Sequence, residues 1–503
     1  MRQTSQADVC LVLEGTYPYI AGGVANWAHD LLLAHQDLSF HLVCLIPRNA
    51  DLTPRYNLPP NVSGITHVEV GGLAKGAARL RGARALFERL EAPLRNLQFD
   101  GGLRDLAEIL ALLAPWRAQL GRSVMLDSPE AWDLLLRMYR ATHNDNAFLD
   151  YFWAWRTILG GLYSVIAAPM PRARVYHSLC TGYAGLFVAR AHIETGRPVL
   201  LTEHGIYTNE RRIEIAMAEW LYQAPSSSLQ LEKVARDLKD LWVDTFTSYS
   251  RACYEAASKI VTLYDGNQQT QIEDGAASEK LEIIPNGVDY ERLSKAGAQR
   301  SQHPPTVALI GRVVPIKDVK TYIRTIAILR NMIPEVHALL LGPTDEDPHY
   351  YAECQALVNH LGLQGCFTFA GRVSIGECLG GLDVVVLTSI SEAQPLVILE
   401  AGSAGVPAVA TDVGACREMI YGDRRETEPL GPAGEVVPLS NPTATAQAVA
   451  RLLTDRGRWE SASRAIRERV RCYYNKPALD RAYRRLYEHW RTVDAPGQWK
   501  GAA

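Results

Sequence analysis

Short apolar runs alternate with stretches of helical spacing along most of the chain. The first half contains six runs that read as buried strands: DVCLVLE (8–14), FHLVCLI (40–46), RVYHS (174–178), PVLLTEH (198–204), KIVTLY (259–264) and LEIIPNG (281–287). A second series follows: TVALIGR (306–312), HALLLGP (337–343), CFTFAGR (366–372), VVVLTS (384–389), PAVAT (407–411) and GEVVP (434–438). Apolar strands that alternate with helices are typical of doubly wound parallel sheets. The pattern predicts an α/β protein with two Rossmann-like domains that face each other across a cleft.

The domain boundaries follow from breaks in this pattern. The polar segment DYERLSKAGAQRSQHPP (289–305) has the composition of an interdomain linker. We therefore expect a first domain over residues 1–290 and a second over 306–455. The charged amphipathic helices of 456–503 follow, and the last is expected to pack back on the first domain. Residues 75–165 break the alternation with Ala-, Leu- and Arg-rich helical spacing, which predicts a helical insertion in the first domain.

One apolar run, YFWAWRTILGGLYSVIAAPM (151–170), is about the length of a membrane span. Its only charge, Arg156, lies inside the run, and Gly160 and Gly161 interrupt it. The flanks lack the basic asymmetry that orients membrane helices. We interpret the run as a core helix; the alternative is a helix that lies on a membrane or against a membrane partner.

Charge and cysteine content exclude several classes of protein. The net charge of −3 argues against a nucleic-acid protein that neutralises phosphates over its whole surface. The nine cysteines include no CxxC pair, which indicates neither a disulfide framework nor a zinc site. A reducing cytoplasm fits this content, and the first ten residues lack the features of a signal peptide.

Two glutamates stand out in ISEAQPLVILEAGSAGVP (390–407). Glu392 follows the VVVLTS strand in a loop, and Glu400 falls in the second turn of the helix that Pro395 begins. Ligands of open α/β sheets bind at the carboxyl ends of strands, so we expect both carboxylates to face that crevice. The alternative is an acidic helix N-terminus with one internal ion pair.

The loop GRVVPIKD (311–318) places Arg312 and Lys317 after the first strand of the second series. Two cations at that edge suit a diphosphate, because Arg grips oxygens as a fork and Lys acts as a point charge. The alternative is a solvated pair of surface cations.

Two features of the first domain also lie after predicted strands. Gly22 and Gly23 form a turn before the first long helix, where backbone N–H groups can approach a phosphate closely; an ordinary tight turn is the alternative. GxGxxG is absent there, which disfavours a dinucleotide oxidoreductase. His204 ends a strand in LLTEHGIYTNERRIE (200–214), in a dense polar loop; a structural histidine is the alternative.

Taken together, these motifs resemble a known family. They are, in order, the Gly22–Gly23 turn, the EHG histidine, IIPNGVD (283–289), GRxxxxK (311–317) and the Glu-x7-Glu of EAQPLVILE (392–400). The set is similar to the GT-B retaining glycosyltransferases of family 4 over nearly the whole chain. More narrowly, EGTYPYIAGGVANW, TEHGIYTNERRIE and the helical insertion resemble the cytosolic glycosyltransferases of bacterial pellicle (Pel) exopolysaccharide assembly.

The resemblance implies a role for each motif residue. Arg312 and Lys317 would hold the nucleotide diphosphate. Glu400 would bind the ribose hydroxyls, and Glu392 the hydroxyls of the donor sugar. His204 would contact that sugar near the reacting carbon. We therefore expect four catalytic residues: His204, Glu392, Arg312 and Lys317.

Further donor contacts are expected from backbone groups. The Gly22–Gly23 loop would lie under the diphosphate, and the N–H groups of Gln394 and Leu396 would add to the phosphate cradle at a helix start. The implied reaction retains the anomeric configuration, with front-face attack by the acceptor hydroxyl. Electrostatic stabilisation of the departing diphosphate would do most of the work.

The resemblance implies a UDP-sugar as the donor substrate, a growing polysaccharide as the acceptor, and no cofactor. Ile20 stands where glycogen and starch synthases carry Lys, which argues against an ADP-glucose enzyme. A metal at the acidic tripeptide 345–347 is disfavoured because Arg312 and Lys317 already supply positive charge. The alternatives are a catalytically silent nucleotide-sugar-binding partner of a membrane polymer synthase and a sugar-nucleotide epimerase.

The same resemblance suggests where partners would bind. One interpretation is that the insertion 75–165 and the run 151–170 dock an inner-membrane subunit of polysaccharide synthesis. Extra core for the first domain is the alternative and has the better support.

Overall fold

The computed structural model describes residues 6–15, 17–142, 147–217, 238–297 and 303–493. They form two compact units. Unit 1 comprises the described parts of 1–262, 268–282 and 483–503, and unit 2 comprises 263–267 and the described parts of 283–482. The PNGVD loop (285–289), expected at the end of the first domain, is therefore part of unit 2.

Unit 1 is built on a seven-stranded sheet in the order β3-β2-β1-β4-β5-β6-β7. Its strands are β1 (Ala7–Glu14), β2 (Phe40–Ile46), β3 (Val62–Glu69), β4 (Ala173–Ser178), β5 (Val199–Glu203), β6 (Lys259–Thr262) and β7 (Leu281–Ile283). The pairings from β3 to β6 are parallel. The sequence pattern missed β3, because its side chains are mostly half-exposed and only Val68 is buried.

Unit 2 has a six-stranded parallel sheet in the order β10-β9-β8-β11-β12-β13. Its strands are β8 (Thr306–Ile310), β9 (His337–Leu341), β10 (Phe367–Gly371), β11 (Val384–Leu387), β12 (Ala408–Thr411) and β13 (Gly434–Val437). Alternate residues of β8 enter different hydrophobic clusters, Val307 and Leu309 on one side and Ala308 and Ile310 on the other. Both faces of this sheet are thus covered, which explains why its strands read as continuous apolar runs.

The helices before residue 280 are α1 (Gly23–Ala34), α2 (Ala83–Asn96), α3 (Leu103–Leu113), α4 (Arg122–Met125), α5 (Pro129–Thr142), α6 (Phe148–Ala167), α7 (Tyr183–Thr195), α8 (Tyr207–Met217), α9 (Leu238–Ala256) and α10 (Asp265–Glu273). The later ones are α11 (Tyr290–Gly297), α12 (Val319–Met332), α13 (Pro348–His360), α14 (Ile375–Cys378), α15 (Leu396–Ser403), α16 (Cys416–Tyr421), α17 (Pro442–Thr454), α18 (Arg456–Tyr473) and α19 (Lys476–Thr492). All twelve strands read from the sequence are confirmed, and helices follow most of them.

Helices α2 to α6 occupy the stretch where the sequence predicts a helical insertion. The apolar run of 151–170 lies largely in α6, whose Ile158 and Leu162 are fully buried. Arg156 donates hydrogen bonds to the carbonyl of Leu126 (3.1 Å) and to Asp127 (2.5 Å). The core-helix interpretation of this run is therefore confirmed. Within the part of the chain that the structure describes, no helix combines the length and hydropathy that a membrane crossing requires.

Candidate active site

The strand order of unit 2 reverses between β8 and β11, so the chain leaves these neighbouring strands toward opposite sides of the sheet. Such a reversal opens a crevice at the carboxyl edge. The loop after β8 carries Arg312 and Lys317, and the loop after β11 carries Glu392. The motif residues of unit 2 thus come from the two strands that flank this point.

Lys317 and Glu392 meet directly at this edge. Lys317 Nζ lies 2.5 Å from Glu392 Oε1, and the two side chains are 19% and 14% exposed. Ser389 Oγ donates a further hydrogen bond to the same carboxylate oxygen at 2.7 Å. A largely buried ammonium beside a carboxylate places a point charge for phosphate next to an acceptor for hydroxyl groups.

Hydrogen bonds to backbone carbonyls hold these two loops together. Thr388 Oγ1 donates to the carbonyls of Lys317 (2.9 Å) and Asp318 (3.0 Å), and the N–H of Ile390 donates to the carbonyl of Ile316 (2.9 Å). These bonds fix the distance between the loops that carry the cation and the carboxylate. The ion pair is therefore built into the backbone framework rather than formed by two free side chains.

Gly414 supports the glutamate loop from the next strand, β12. Its φ is +51°, and a β carbon there would lie 2.2 Å from the Glu392 carbonyl oxygen and 2.3 Å from that of Ala393. The N–H of Ala415 donates to the Ala393 carbonyl at 2.8 Å. Only glycine allows this approach, so the position of the Glu392 backbone depends on it.

Gln394 is buried and holds the PNGVD loop. Its Oε1 accepts from the N–H of Asn286 at 2.7 Å, and its Nε2 donates to the Asn286 carbonyl at 3.3 Å. The loop also pairs with the segment between α18 and α19, where Val288 N–H donates to the Tyr474 carbonyl at 2.9 Å. The Gln394 side chain is thus structural, while Leu396 is the first residue of α15.

Glu400 lies in the second turn of α15, as the sequence predicts, and is half-buried. Burial raises its pKa above the ordinary glutamate value, and the nearby cation Arg292 opposes that rise. A partly shielded carboxylate with little charge compensation is a strong acceptor for hydroxyl donors.

Arg312 is paired with Glu346, an acid of the tripeptide 345–347. Its Nη1 contacts Glu346, and both side chains are about half-exposed. In the same tripeptide, Asp345 pairs with Arg372 at 3.1 Å, and Asp347 accepts from the N–H of Tyr350 at the start of α13. Each acid therefore serves a different partner, and among the described residues no group of three or more potential ligands could hold a metal ion.

In unit 1 the glycine turn comes directly before α1. Gly22 has an extended backbone with φ 175°, and Gly23 begins the helix. Both residues are exposed, and an added β carbon at either would have no atom of the described residues within 4 Å. Contacts within the described part of the chain therefore do not require glycine at these two positions.

The His204 side chain is buried, with 9% of the residue exposed. Its ring lies edge-on to the indole of Trp27, with ring centroids 4.7 Å apart. Its Nε2 is buried without a hydrogen-bond partner among the described residues. Burial lowers the pKa of His204 to about 4. At neutral pH the imidazole is therefore uncharged, and it can offer a hydrogen bond but not a positive charge.

The polar residues that flank His204 serve the interior. Glu203 is fully buried and accepts hydrogen bonds from the Tyr207 N–H (3.1 Å), the Tyr254 hydroxyl (2.8 Å) and Gln271 (2.9 Å). Burial raises its pKa, and these hydrogen bonds lower it in part. The expected polar loop is thus partly a buried network that anchors α8.

The surroundings of His204 were not predicted from the sequence. Trp27 lies in the EGTYPYIAGGVANW motif, and His177, Tyr483 and Tyr487 come from segments far away in the sequence. Thr202 completes the group. The histidine near the end of the predicted strand RVYHS (174–178) is the one sequence signal that could have indicated it.

The comparisons with known proteins agree with this division of the chain. Residues 7–279, more than half of the chain, match the family model described as "Domain of unknown function (DUF3492)". The chain belongs to this family. Beyond that domain, residues 304–455 match the model described as "Glycosyl transferases group 1", and this range contains Arg312, Lys317, Glu392 and Glu400 but not the PNGVD loop.

Curated relatives match part of the chain. The D-inositol 3-phosphate glycosyltransferase of Kribbella flavida is 29% identical over 232 residues, which cover 42% of this chain and 50% of that protein. The phosphatidyl-myo-inositol mannosyltransferase of Mycobacterium leprae is 28% identical over 240 residues, 47% of this chain and 60% of that protein. The chain therefore spans 50–60% of the length of these two relatives.

A solved structure matches almost the whole chain. Anabaena HepE in complex with UDP superposes with a TM-score of 0.58 at 14% identity, covering 95% of this chain and 99% of that chain. At this identity the match concerns the fold alone. It confirms the GT-B architecture predicted from the sequence, with two Rossmann-like domains.

Proposed function

We propose that the protein is a retaining glycosyltransferase, which moves a hexose or N-acetylhexosamine from a UDP-sugar to a growing exopolysaccharide of the Pel type. The observation that carries the proposal is the contact between Lys317 and Glu392, at the point where the strand order of the group 1 glycosyltransferase domain reverses. A nucleotide-sugar donor has a diphosphate next to a sugar, so it needs a cation for the phosphates beside an acceptor for the sugar hydroxyls.

The donor contacts of unit 2 follow from the chemistry of each group. Lys317 and Arg312 neutralise the diphosphate, and the first N–H groups of α15 face the negative charge. Glu392 accepts from hydroxyls of the sugar, and Glu400 from hydroxyls of the ribose. Hydrogen bonds to a charged acceptor contribute about 1.5–3 kcal/mol each, so the two glutamates favour a ligand with alcohols on both sides of its phosphates.

Arg312 must exchange partners to act on the donor. Its contact with Glu346 is about half-exposed, and ion pairs at such positions contribute roughly 0–1 kcal/mol. A diphosphate carries more charge than one carboxylate and offers a fork of oxygens. We infer that donor binding displaces Glu346 from Arg312 at little cost.

The reaction needs no enzymatic nucleophile in this proposal. As the bond between the anomeric carbon and the phosphate oxygen breaks, negative charge develops on the departing diphosphate, where Lys317 and Arg312 are already positioned. The acceptor hydroxyl attacks from the same face, and its proton passes to the leaving phosphate. His204, neutral at pH 7, is proposed to donate or accept a hydrogen bond at the sugar rather than to transfer a proton.

The choice of UDP rests on the motif resemblance and on HepE, which was solved with UDP. The name of the Mycobacterium leprae relative specifies mannosyl transfer. Titration calorimetry with UDP, GDP and ADP decides the nucleobase, and we expect UDP to bind at least tenfold more tightly than the other two. Tighter binding of GDP would overturn the assignment of UDP.

The transferase activity is tested with purified protein, a panel of radiolabelled UDP-sugars and a polysaccharide acceptor. We expect label in the polymer and release of UDP. Interconversion of the free nucleotide sugar without acceptor would identify an epimerase instead. Donor binding without any turnover would identify a regulatory subunit.

We further propose that the enzyme works in the cytoplasm beside inner-membrane subunits that export the polymer. The largest exposed apolar side chains of the insertion are Trp132, Leu149 and Trp153, which are 46%, 63% and 57% exposed. Residues 158–166 of α6 are buried, so a partner would contact the first two turns of α6 together with Trp132 on α5. Co-purification of the subunits with wild type but not with a triple serine variant of these residues would support this contact; equal recovery would contradict it.

A further inference from the structure

The indole of Trp27 connects the candidate catalytic histidine to the C-terminal helix. Its ring lies edge-on to three other rings of unit 1, with centroids 4.7 Å from His204, 5.2 Å from Tyr483 and 6.4 Å from His177. Edge-to-face contacts of this kind contribute about 0.5–1.5 kcal/mol each beyond the buried area. One side chain on α1 therefore contacts the end of β5, β4 and α19 together.

A buried hydrogen-bond chain lies behind Trp27. His177 Nδ1 is 2.7 Å from the Tyr487 hydroxyl, and His177 Nε2 is 2.9 Å from Thr202 Oγ1. Thr202 Oγ1 is in turn 3.2 Å from the Tyr483 hydroxyl. All four side chains are at most 3% exposed. Because buried polar groups are costly when unpaired, these bonds specify the position of residues 483–487 on the sheet of unit 1.

His204 has few constraints of its own. Its Nε2 is buried without a hydrogen-bond partner among the described residues, whereas both ring nitrogens of His177 are bonded. Rotation of the His204 ring is therefore limited mainly by packing, and the indole of Trp27 is the ring against it.

We propose that Trp27 is a positioning residue for His204, and that the tyrosines of the C-terminal helix hold Trp27 in place through the network of His177 and Thr202. The catalytic consequence rests on the proposed function, while the positioning itself does not. Tyr483 and Tyr487 thereby become necessary for chemistry at the end of β5, although they lie almost 300 residues later in the chain.

The test combines kinetics with a spectroscopic readout of His204. In Trp27→Ala we expect kcat to fall by about 10²-fold, the cost of misplacing a reacting group by about 1 Å, with the KM for the donor changed by less than about threefold because unit 2 holds the donor charges. Tyr483→Phe and Trp27→Phe should give intermediate losses. The matched control is Tyr322→Phe, which removes a buried hydroxyl bonded to two carbonyls in unit 2.

The imidazole of His204, assigned with His204→Gln in ¹⁵N-histidine-labelled protein, reports positioning without activity. In Trp27→Ala we expect its resonances to shift and its pKa to rise from about 4 toward the ordinary histidine value, because water reaches the ring. Unchanged His204 resonances, or equal losses of kcat in Trp27→Ala and Tyr322→Phe, would overturn the proposal. If the resonances shift as expected but wild type transfers no sugar, the proposed function fails and the positioning role stands.

Discussion

The two units differ in how they present polar groups at the carboxyl ends of their strands. In unit 2 the groups are charged and partly exposed: Lys317 and Glu392 form an ion pair, and Arg312 shares a half-exposed contact with Glu346. In unit 1 the loop after β5 instead begins with a neutral, buried group, His204, which packs against Trp27. Charged groups with exchangeable partners suit the binding of an anion, whereas a neutral buried ring suits the orientation of an uncharged sugar. Under the proposed function, charge stabilisation falls to unit 2 and orientation of the sugar to unit 1.

The largest effect is expected from removing the charge of unit 2. The double variant Arg312→Ala/Lys317→Ala should lose at least about 10³-fold in kcat, because each preorganised donor to the leaving group is worth about 10²–10³-fold. Its melting temperature should fall by only a few degrees, since one of the two cations is half-exposed.

The matched control for this variant is Lys320→Ala/Arg451→Ala. It removes two other cations of unit 2, which pair with Glu353 and Glu435. The control should keep nearly full activity. Equal activity of the two double variants, measured by UDP release, would contradict the assignment of charge stabilisation.

Acidification should lower the free energy of unfolding, because the buried imidazoles of His204 and His177 in unit 1 are neutral in the folded state. Burial lowers the pKa of His204 to about 4 and that of His177 to about 3, whereas an imidazole in an unfolded chain titrates near about 6.5. The unfolded state therefore binds more protons below about pH 6.5, and stability is lost as the pH falls.

At pH values well below about 6.5, the free energy of unfolding should fall by about 1.4 kcal/mol per pH unit for each imidazole. Chemical denaturation at pH 7, 6 and 5 measures it. His177→Gln should reduce the slope by about half, while His349→Gln, at an 87% exposed side chain, should leave it unchanged. A pH-independent unfolding energy between 7 and 5 would show that the histidines are not held neutral.

A smaller effect is expected at Glu400, the proposed ribose contact. Glu400→Ala should weaken UDP binding by about 10–100-fold, because one or two hydrogen bonds to a charged acceptor are lost. Since burial raises the pKa of Glu400, wild-type affinity should also decline at mildly acidic pH, and that decline should disappear in the variant. Calorimetry measures both, with Glu353→Ala as the control; an affinity equal to wild type would remove Glu400 from the site.

The smallest effect concerns the partner of Arg312. Glu346→Gln frees the guanidinium from a competing carboxylate, so UDP should bind up to about fivefold more tightly, in line with roughly 0–1 kcal/mol for an exposed pair. Asp345→Asn changes the neighbouring acid without freeing Arg312 and is the control. Weaker binding in Glu346→Gln would mean that Glu346 orients Arg312 rather than competing for it.

The sequence predicted the fold well because both sheets are covered on two faces. Buried strands such as β8 and β11 then appear as uninterrupted apolar runs between helical segments. The strand β3 was missed because it lies at the edge of its sheet and most of its side chains are half-exposed.

The candidate site was predictable only where motif residues lie close together in sequence. Lys317 and Glu392 follow strands that a doubly wound order makes neighbours, so their meeting could be expected from topology. The contact between Arg312 and Glu346 could not, because the side chains of three acids in a row give no indication of their separate partners. The surroundings of His204 depend on α1, β4 and α19, and no local pattern connects these segments.

The assignment of residues 483–493 to unit 1 has a practical consequence for dissecting the protein. A fragment that stops after β7 would leave His177 and Thr202 without their tyrosine partners, and His35 and Phe40 without the ring of Tyr487. Such a fragment should be recovered poorly, and a synthetic peptide of residues 476–493 added during refolding should restore it. The folding of unit 1 is therefore completed only by residues 483–493, which follow unit 2 along the chain.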